Sequence, residues 1–189
     1  FMRLLIIDNY DSFTFNLIHL IEKCSNIDFE VFRNDQIEVE RVKHFDKILL
    51  SPGPGLPKDA GIIEEVISIY KASKSIFGVC LGQQAIAEVF GARLKNLSEV
   101  YHGVATPVHL VKPESIFKDC PDTFMAGRYH SWVVDTDSFP GELEITAIDD
   151  QQNIMALRHI KYDIKAVQFH PESILSEYGE TIMKNWLLG

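Results

Sequence analysis

Along the first ninety positions, apolar residues come in short unbroken runs, separated by stretches in which they recur every three or four residues. "RLLIID" (3–8) and "KILLS" (47–51) are short apolar runs of the kind buried in a parallel sheet, and "FEVF" (29–32) and "SIFGV" (75–79) fit as two more strands. Helical spacing lies between them. Ser12 is placed to cap a helix over 12–24 in which Phe13, Leu17, Leu20 and Ile21 share one face, and 62–72 and 82–90 carry similar stripes. Strand and helix in alternation imply right-handed crossovers and helices on both faces of a sheet. From about residue 92 the pattern changes to short β-like pieces, "RLKNL", "TPVHLV", "LEITAI", "IMALRH" and "IKAVQF", broken by Gly, Pro, Asn and Asp, before a closing helix at about 178–188. The expected fold class is α/β, an open, mostly parallel central sheet with helices on both faces and a smaller mixed or antiparallel β extension in the C-terminal half. A chain of 189 residues with 46% hydrophobic content reads as one domain, 1–189.

Composition then removes several function classes. The formal charge of -9, from 27 acidic against 18 basic residues, argues against nucleic acid and against an anionic membrane surface as partners. No apolar stretch reaches the roughly eighteen residues needed to cross a bilayer, and no basic segment followed by a cleavable apolar one opens the chain, so a cytoplasmic location is expected. Cys24, Cys80 and Cys120 are odd in number and far apart, without the CxxC spacing of a zinc or redox site. A cysteine with a chemical role here acts alone.

Cys80 is the candidate. "GVCLG" (78–82) has the form G-x-nucleophile-x-G, a strained strand-to-helix turn in which Gly78 and Gly82 leave room for the bend and the side chain is lifted above the sheet edge. There the helix N-terminus favours thiolate over thiol. Taken alone, the motif also describes a buried cysteine acting as a small hydrophobe beside glycines that end a strand. The elbow needs a base, and "QFHPES" supplies His170 with Glu172 two residues on, on the same side of an extended segment stiffened by Pro171. That pair alone would equally suit a solvated strand end. Together the three residues make a nucleophile, a base and an orienting acid. "SPGPGLPKDAG" (51–61) adds a Pro/Gly-rich loop after a strand, whose exposed N–H groups could stabilise an oxyanion together with the N–H of Leu81; the other reading is a rigid turn, and no GK[ST] follows to make it a phosphate loop.

These elements, with "DNYDSFTFNL" (8–17), "YHG" (101–103) and "RYHSW" (128–132), closely resemble the class I glutamine amidotransferases over essentially the whole chain, in the family's order and spacing. The nearest resemblance is to the glutaminase subunits of anthranilate synthase and aminodeoxychorismate synthase, which serve tryptophan and folate biosynthesis. The resemblance implies that Cys80 is the nucleophile, His170 the base and Glu172 its partner, with an oxyanion hole from the backbone N–H groups of Gly53 and Leu81. It implies further that L-glutamine is held along Gly53, Pro54 and Gly55, by the Gln84 side chain, and by the backbone around Ser131 and Trp132. Neither metal nor organic cofactor is implied for this chain. The implied partner is a larger chorismate-binding synthase subunit that receives the ammonia, docked on the loops 8–12 and 56–61 and the stretch 101–104. The alternative is a free-standing γ-glutamyl amide hydrolase with no ammonia acceptor. The chain departs from the family's common pattern at Gln83, where His is frequent, at Trp132, where Leu is, and at Val104, where Lys is. His102 and His130 are expected to be structural, and Phe13 and Phe15 to serve core and interface packing.

Overall fold

In the computed structural model, which describes residues 1–189, the four apolar runs of the N-terminal half become β1 (Arg3–Asp8), β2 (Asp28–Arg33), β3 (Lys47–Leu50) and β4 (Ser75–Val79). Alternate residues of each strand enter opposite layers. Leu5, Ile7, Ile48, Leu50 and Ile76 join one core, whereas Leu4, Ile6, Leu49, Phe77 and Val79 join the other. Such strands need a cover on each face, and the helices α1 (Thr14–Cys24), α2 (Ile63–Tyr70), α3 (Leu81–Val89) and α4 (Gly179–Leu188) supply it. Ile63, Val66, Ala85 and Ile86 of α2 and α3 pack in the first core; Leu17, Ile21, Ile182 and Trp186 of α1 and α4 pack in the second.

The start of α1 differs from the expectation. Ser12 does not cap it; Asp8 at the end of β1 accepts from the Asp11 N–H (3.0 Å) and the Thr14 hydroxyl (2.9 Å), and the helix begins two residues later than the pattern suggested. The buried stripe is accordingly Thr14, Leu17, Ile21 and Cys24, while Phe13 turns outward and Leu20 is only partly covered.

The second half adds β5 (Leu94–Asn96), β6 (Val104–Leu110), β7 (Thr123–Arg128), β8 (Trp132–Val134), β9 (Leu143–Ile148), β10 (Ile154–His159) and β11 (Ile164–Val167). The strand order of the main sheet is β2-β1-β3-β4-β11-β10-β9-β6-β7, parallel from β2 to β11 and antiparallel beyond it; β5 and β8 form a separate antiparallel pair. β7 and β8 carry no alternating signal in the sequence. "TFMAGR" carries the small residues Ala126 and Gly127 before its final Arg128, and a Cβ on Gly127 would lie 2.8 Å from the Ser173 hydroxyl oxygen. The consequence for function lies at one edge. β1, β3, β4 and β11 run in the same direction, so the residues following them, Asn9, Ser51 to Gly53, Cys80, and Gln168 to His170, all emerge at the carboxyl ends of adjacent strands, where open α/β sheets place their ligands.

Candidate active site

Cys80 joins β4 to α3 with φ 55° and ψ -101°, a conformation that costs a non-glycine residue about 1–3 kcal/mol. The surroundings hold it there. Its N–H donates to the Val167 carbonyl of β11 (2.8 Å). A Cβ on Gly78 would stand 2.5 Å from the Gly82 carbonyl carbon, and one on Gly82 2.7 Å from the Leu50 carbonyl oxygen, so both flanking glycines are needed for α3 to approach β3 and β4. The sulfur borders a cleft of about 320 Å³ shared with Asp11, Gly53, His102, Tyr129 and His170.

His170 Nδ1–H donates to Glu172 Oε1 at 2.6 Å, and both side chains are almost fully buried. They meet by a different route from the one expected. β11 ends at Val167, and the pair sits on a turn in which the Ser173 N–H donates to the His170 carbonyl (3.2 Å), so the chain's curvature rather than the alternation of a strand brings them together. The His170 backbone is tied by its N–H to the Gly127 carbonyl (2.9 Å) and by its carbonyl to the Ser176 hydroxyl (2.6 Å). The Tyr129 ring packs on the imidazole with centroids 4.8 Å apart, and its hydroxyl is bonded to Ser173 (3.0 Å). Burial works against the imidazolium, but Cys80 and Glu172 outweigh it and raise the His170 pKa well above the usual value. With Nδ1 committed to the carboxylate, Nε2 is buried with no hydrogen-bond partner, free for proton exchange.

The loop after β3 is pinned from below by a residue the sequence reading passed over. The Asn9 N–H donates to the Ser51 hydroxyl (2.8 Å), its side-chain amide to the Ser51 carbonyl (2.7 Å), and its Oδ1 accepts from Asn34 (3.1 Å). Gly53 lies directly on the Asn9 backbone, where a Cβ would collide with it. Gly55 has φ +76°. Leu81 is the first residue of α3, where backbone N–H groups have no intrahelical acceptor. An asparagine directly after a buried strand and before a turn was the one available sign of Asn9's role.

Gln84, one turn into α3, donates to the Trp132 carbonyl (2.9 Å), which also accepts from His130 Nδ1 (3.0 Å). The Ser131 carbonyl accepts from the Leu97 N–H (2.7 Å). Both carbonyls of the 131–132 segment are thus engaged within the chain, and the segment is fixed beside the elbow. His130 is buried, as a structural role requires, whereas His102 is exposed on the rim. Gln83 points into the core, with Nε2 3.5 Å from the Ile154 carbonyl and its Oε1 unpartnered. Asp11 was also missed; burial and the nearby Glu172 raise its carboxyl to about 6, and one of its oxygens has no partner. Burial raises the thiols of Cys24 and Cys120, the latter to about 11, which leaves them poor nucleophiles. No group of three His, Cys, Asp or Glu side chains is placed to hold a metal ion, and no helix is long and apolar enough to cross a membrane. Phe13 and Phe15 are not core residues: Phe15 is 84% exposed, and both line a groove that reaches His170 and Glu172.

A cysteine on a strained elbow shares a cleft with a carboxylate-held histidine at the carboxyl edge of a parallel sheet, an arrangement suited to a thiol nucleophile and its base. The chain belongs to the class-I glutamine amidotransferase family, whose profile matches residues 5–189. Among its relatives, the anthranilate synthase component 2 of Pyropia yezoensis is 43% identical over 187 residues, covering 97% of this chain and 98% of that protein. The multifunctional tryptophan biosynthesis protein of Pichia angusta is 46% identical over 190 residues, covering 98% of this chain and 51% of that protein. In fold, a glutamine amidotransferase from Thermotoga maritima superposes with TM-score 0.75 at 16% identity, covering 98% of this chain and 94% of that one.

Proposed function

We propose that the chain is a glutaminase subunit that releases ammonia from L-glutamine for a chorismate-utilising synthase partner, with anthranilate as the product. The observation that carries the chemistry is Cys80 at φ 55° sharing a cleft with a His170 that is bonded to Glu172 at 2.6 Å. Relatives named for anthranilate and tryptophan synthesis support the anthranilate product over aminodeoxychorismate.

In the proposed reaction the Cys80 sulfur attacks the side-chain amide carbon of glutamine, the carbonyl oxygen becomes an oxyanion, and the N–H groups of Gly53 and Leu81 receive it. His170, carrying the thiol proton, returns it to the departing nitrogen as the carbon–nitrogen bond breaks, which leaves ammonia and a γ-glutamyl thioester. Water then attacks the thioester, with His170 accepting a water proton, and the sulfur leaves to give glutamate. Glu172 holds the ring and stabilises its charge throughout. Gly53, Pro54, Gly55, Gln84 and the 131–132 backbone form the glutamine pocket. The sequence of steps draws on neither metal nor organic cofactor.

Replacing Cys80 with Ser tests the assignment. Glutamine-dependent activity is expected to fall below a few per cent, while ammonia-dependent synthesis by the reconstituted partner stays near the parent level. Retained glutaminase activity in the variant would remove Cys80 from the mechanism.

A further inference from the structure

Gln168 is a buried polar group that this reaction leaves unused. It follows β11 directly, is fully buried, and places Nε2 3.4 Å from Cys80 Sγ. Which amide atom faces the sulfur is decided by a chain of hydrogen bonds whose direction begins at the Trp132 backbone carbonyl, which can only accept; His130, and behind it the donor-only guanidinium of Arg128, brace that carbonyl. Arg128, paired with Asp149 at 2.9 Å, donates through Nε to His130 Nε2 (3.1 Å). Burial and the Arg128 charge push the His130 pKa down to about 3, so the ring is neutral and its single proton sits on Nδ1, which donates to the Trp132 carbonyl. That carbonyl also accepts from Gln84 Nε2, whose second hydrogen goes to Gln168 Oε1 (3.3 Å). Gln168 therefore turns its NH₂ group to the thiol. Reversing Gln168 would set two NH₂ groups against each other, and reversing Gln84 would set its carbonyl against that of Trp132.

From this polarity we infer that Gln168 is a donor to the Cys80 thiolate, held in that orientation by Gln84 as a positioning residue on the Trp132 carbonyl, which His130 and Arg128 hold in place. A hydrogen bond to a charged acceptor is stronger than one to its neutral form, so an N–H fixed on the sulfur favours the nucleophilic state. The other titratable groups lining the cleft with the sulfur are Tyr10, Asp11, His102, Tyr129 and His170, with Glu172 bonded behind His170, and none of them is hydrogen-bonded to Gln168. The same relay ties the 131–132 segment to the thiol through the Trp132 carbonyl. The inference rests on Cys80 being the nucleophile proposed above.

The test is the pH–rate profile of Cys80 alkylation by iodoacetamide in the full chain, located by peptide mapping, for the parent, Gln168→Leu and Gln168→Glu, with thermal melting as the check on folding. Loss of a hydrogen bond to a charged group lowers the rate on the order of tenfold. Gln168→Leu is expected to alkylate about that much more slowly at pH 7, with its profile moved to higher pH. Gln168→Glu keeps the size and the acceptor for Gln84 but sets a carboxylate against the sulfur, and its profile is expected to move further. A folded variant with the parental rate and profile would overturn the inference. A variant-free readout is the Gln168 side-chain amide resonance in the parent, which is expected to shift as Cys80 ionises; a signal that stays still would also overturn it. Were Cys80 modified no faster than Cys24 and Cys120 in the parent itself, the nucleophile assignment would fall, and the inference with it.

Discussion

His170 and Asp11 border the same cleft, and burial acts on them with opposite results. Around His170 the Cys80 sulfur and the Glu172 carboxylate outweigh desolvation and raise the ring's pKa well above its usual value, whereas Asp11 has no cationic hydrogen-bond partner and its carboxyl is raised to about 6. A carboxyl whose folded pKa lies above its unfolded value binds its proton more tightly in the native state. Its contribution is therefore full below about pH 4 and is lost as pH rises through about 6. Asp11→Asn keeps an acceptor for local N–H groups and removes that titration. After allowance for solvent screening, the variant is expected to gain about 1 kcal/mol over the parent at pH 7 relative to pH 4. Urea unfolding at the two pH values measures this. An equal difference between variant and parent at both would show that the carboxyl is not strained by burial.

At the scale of elements, the site depends on how closely α3 lies against the sheet. Gly78 on β4 faces Gly82 on α3, and Gly82 in turn faces Leu50 on β3, so two missing side chains set the depth of the elbow. Gly78→Ala places a methyl 2.5 Å from the Gly82 backbone. Because backbone atoms cannot swing aside, the overpacking is expected to cost about 1–3 kcal/mol in chemical unfolding and to displace Cys80, with a fall in kcat larger than the change in KM. Unchanged stability and rate would mean that α3 can move outward freely. The loop 51–55 has the same dependence on Asn9, which bonds Ser51 through two of its groups. The N–H of Gly53, the proposed oxyanion donor, is thus positioned by the end of β1.

Over the whole molecule, the start of α1 and the 173–174 turn present exposed apolar side chains to solvent beside His170 and Glu172. Phe13, Phe15, Ile18 and Ile174 line a groove of about 880 Å³ that ends on His170 and Glu172, and Phe15 and Ile174 are 84% and 99% exposed. A synthase partner seated here would cover the cleft and keep ammonia from solvent. The expected partner loops are only partly suited to this. Ser12 is exposed on the rim, but Gly61 has φ +59° and a Cβ there would collide with the Asn34 carbonyl, so a substitution at Gly61 would test folding rather than docking. Phe15→Asp and Ile174→Asp are the informative changes. Each is expected to reduce partner-stimulated kcat/KM about tenfold or more, the scale of a lost apolar anchor, while basal glutaminase activity stays unchanged. Steady-state assays with and without the synthase and chorismate decide it. Full activity without the partner, unaltered by its addition, would instead favour the free-standing hydrolase.

Most strands and helices of the first half are legible in the sequence, because the buried strands show as apolar runs and the covering helices as stripes. The sequence also points to Cys80, Gly78, Gly82, His170 and Glu172, since an elbow and a closely spaced histidine and carboxylate are local patterns, although the turn that joins the last two is not. Local pattern was silent wherever the partner is distant in the chain. β7 has small residues and is ordered by β6; the start of α1 is set by Asp8 reaching forward from β1; Asn9 matters because Ser51 folds onto it. The direction of the Gln168 amide required the tertiary structure most of all. An amide looks alike from either end in sequence, and only the folded chain brings the acceptor-only Trp132 carbonyl, Gln84 and Gln168 into one line ending at the Cys80 sulfur.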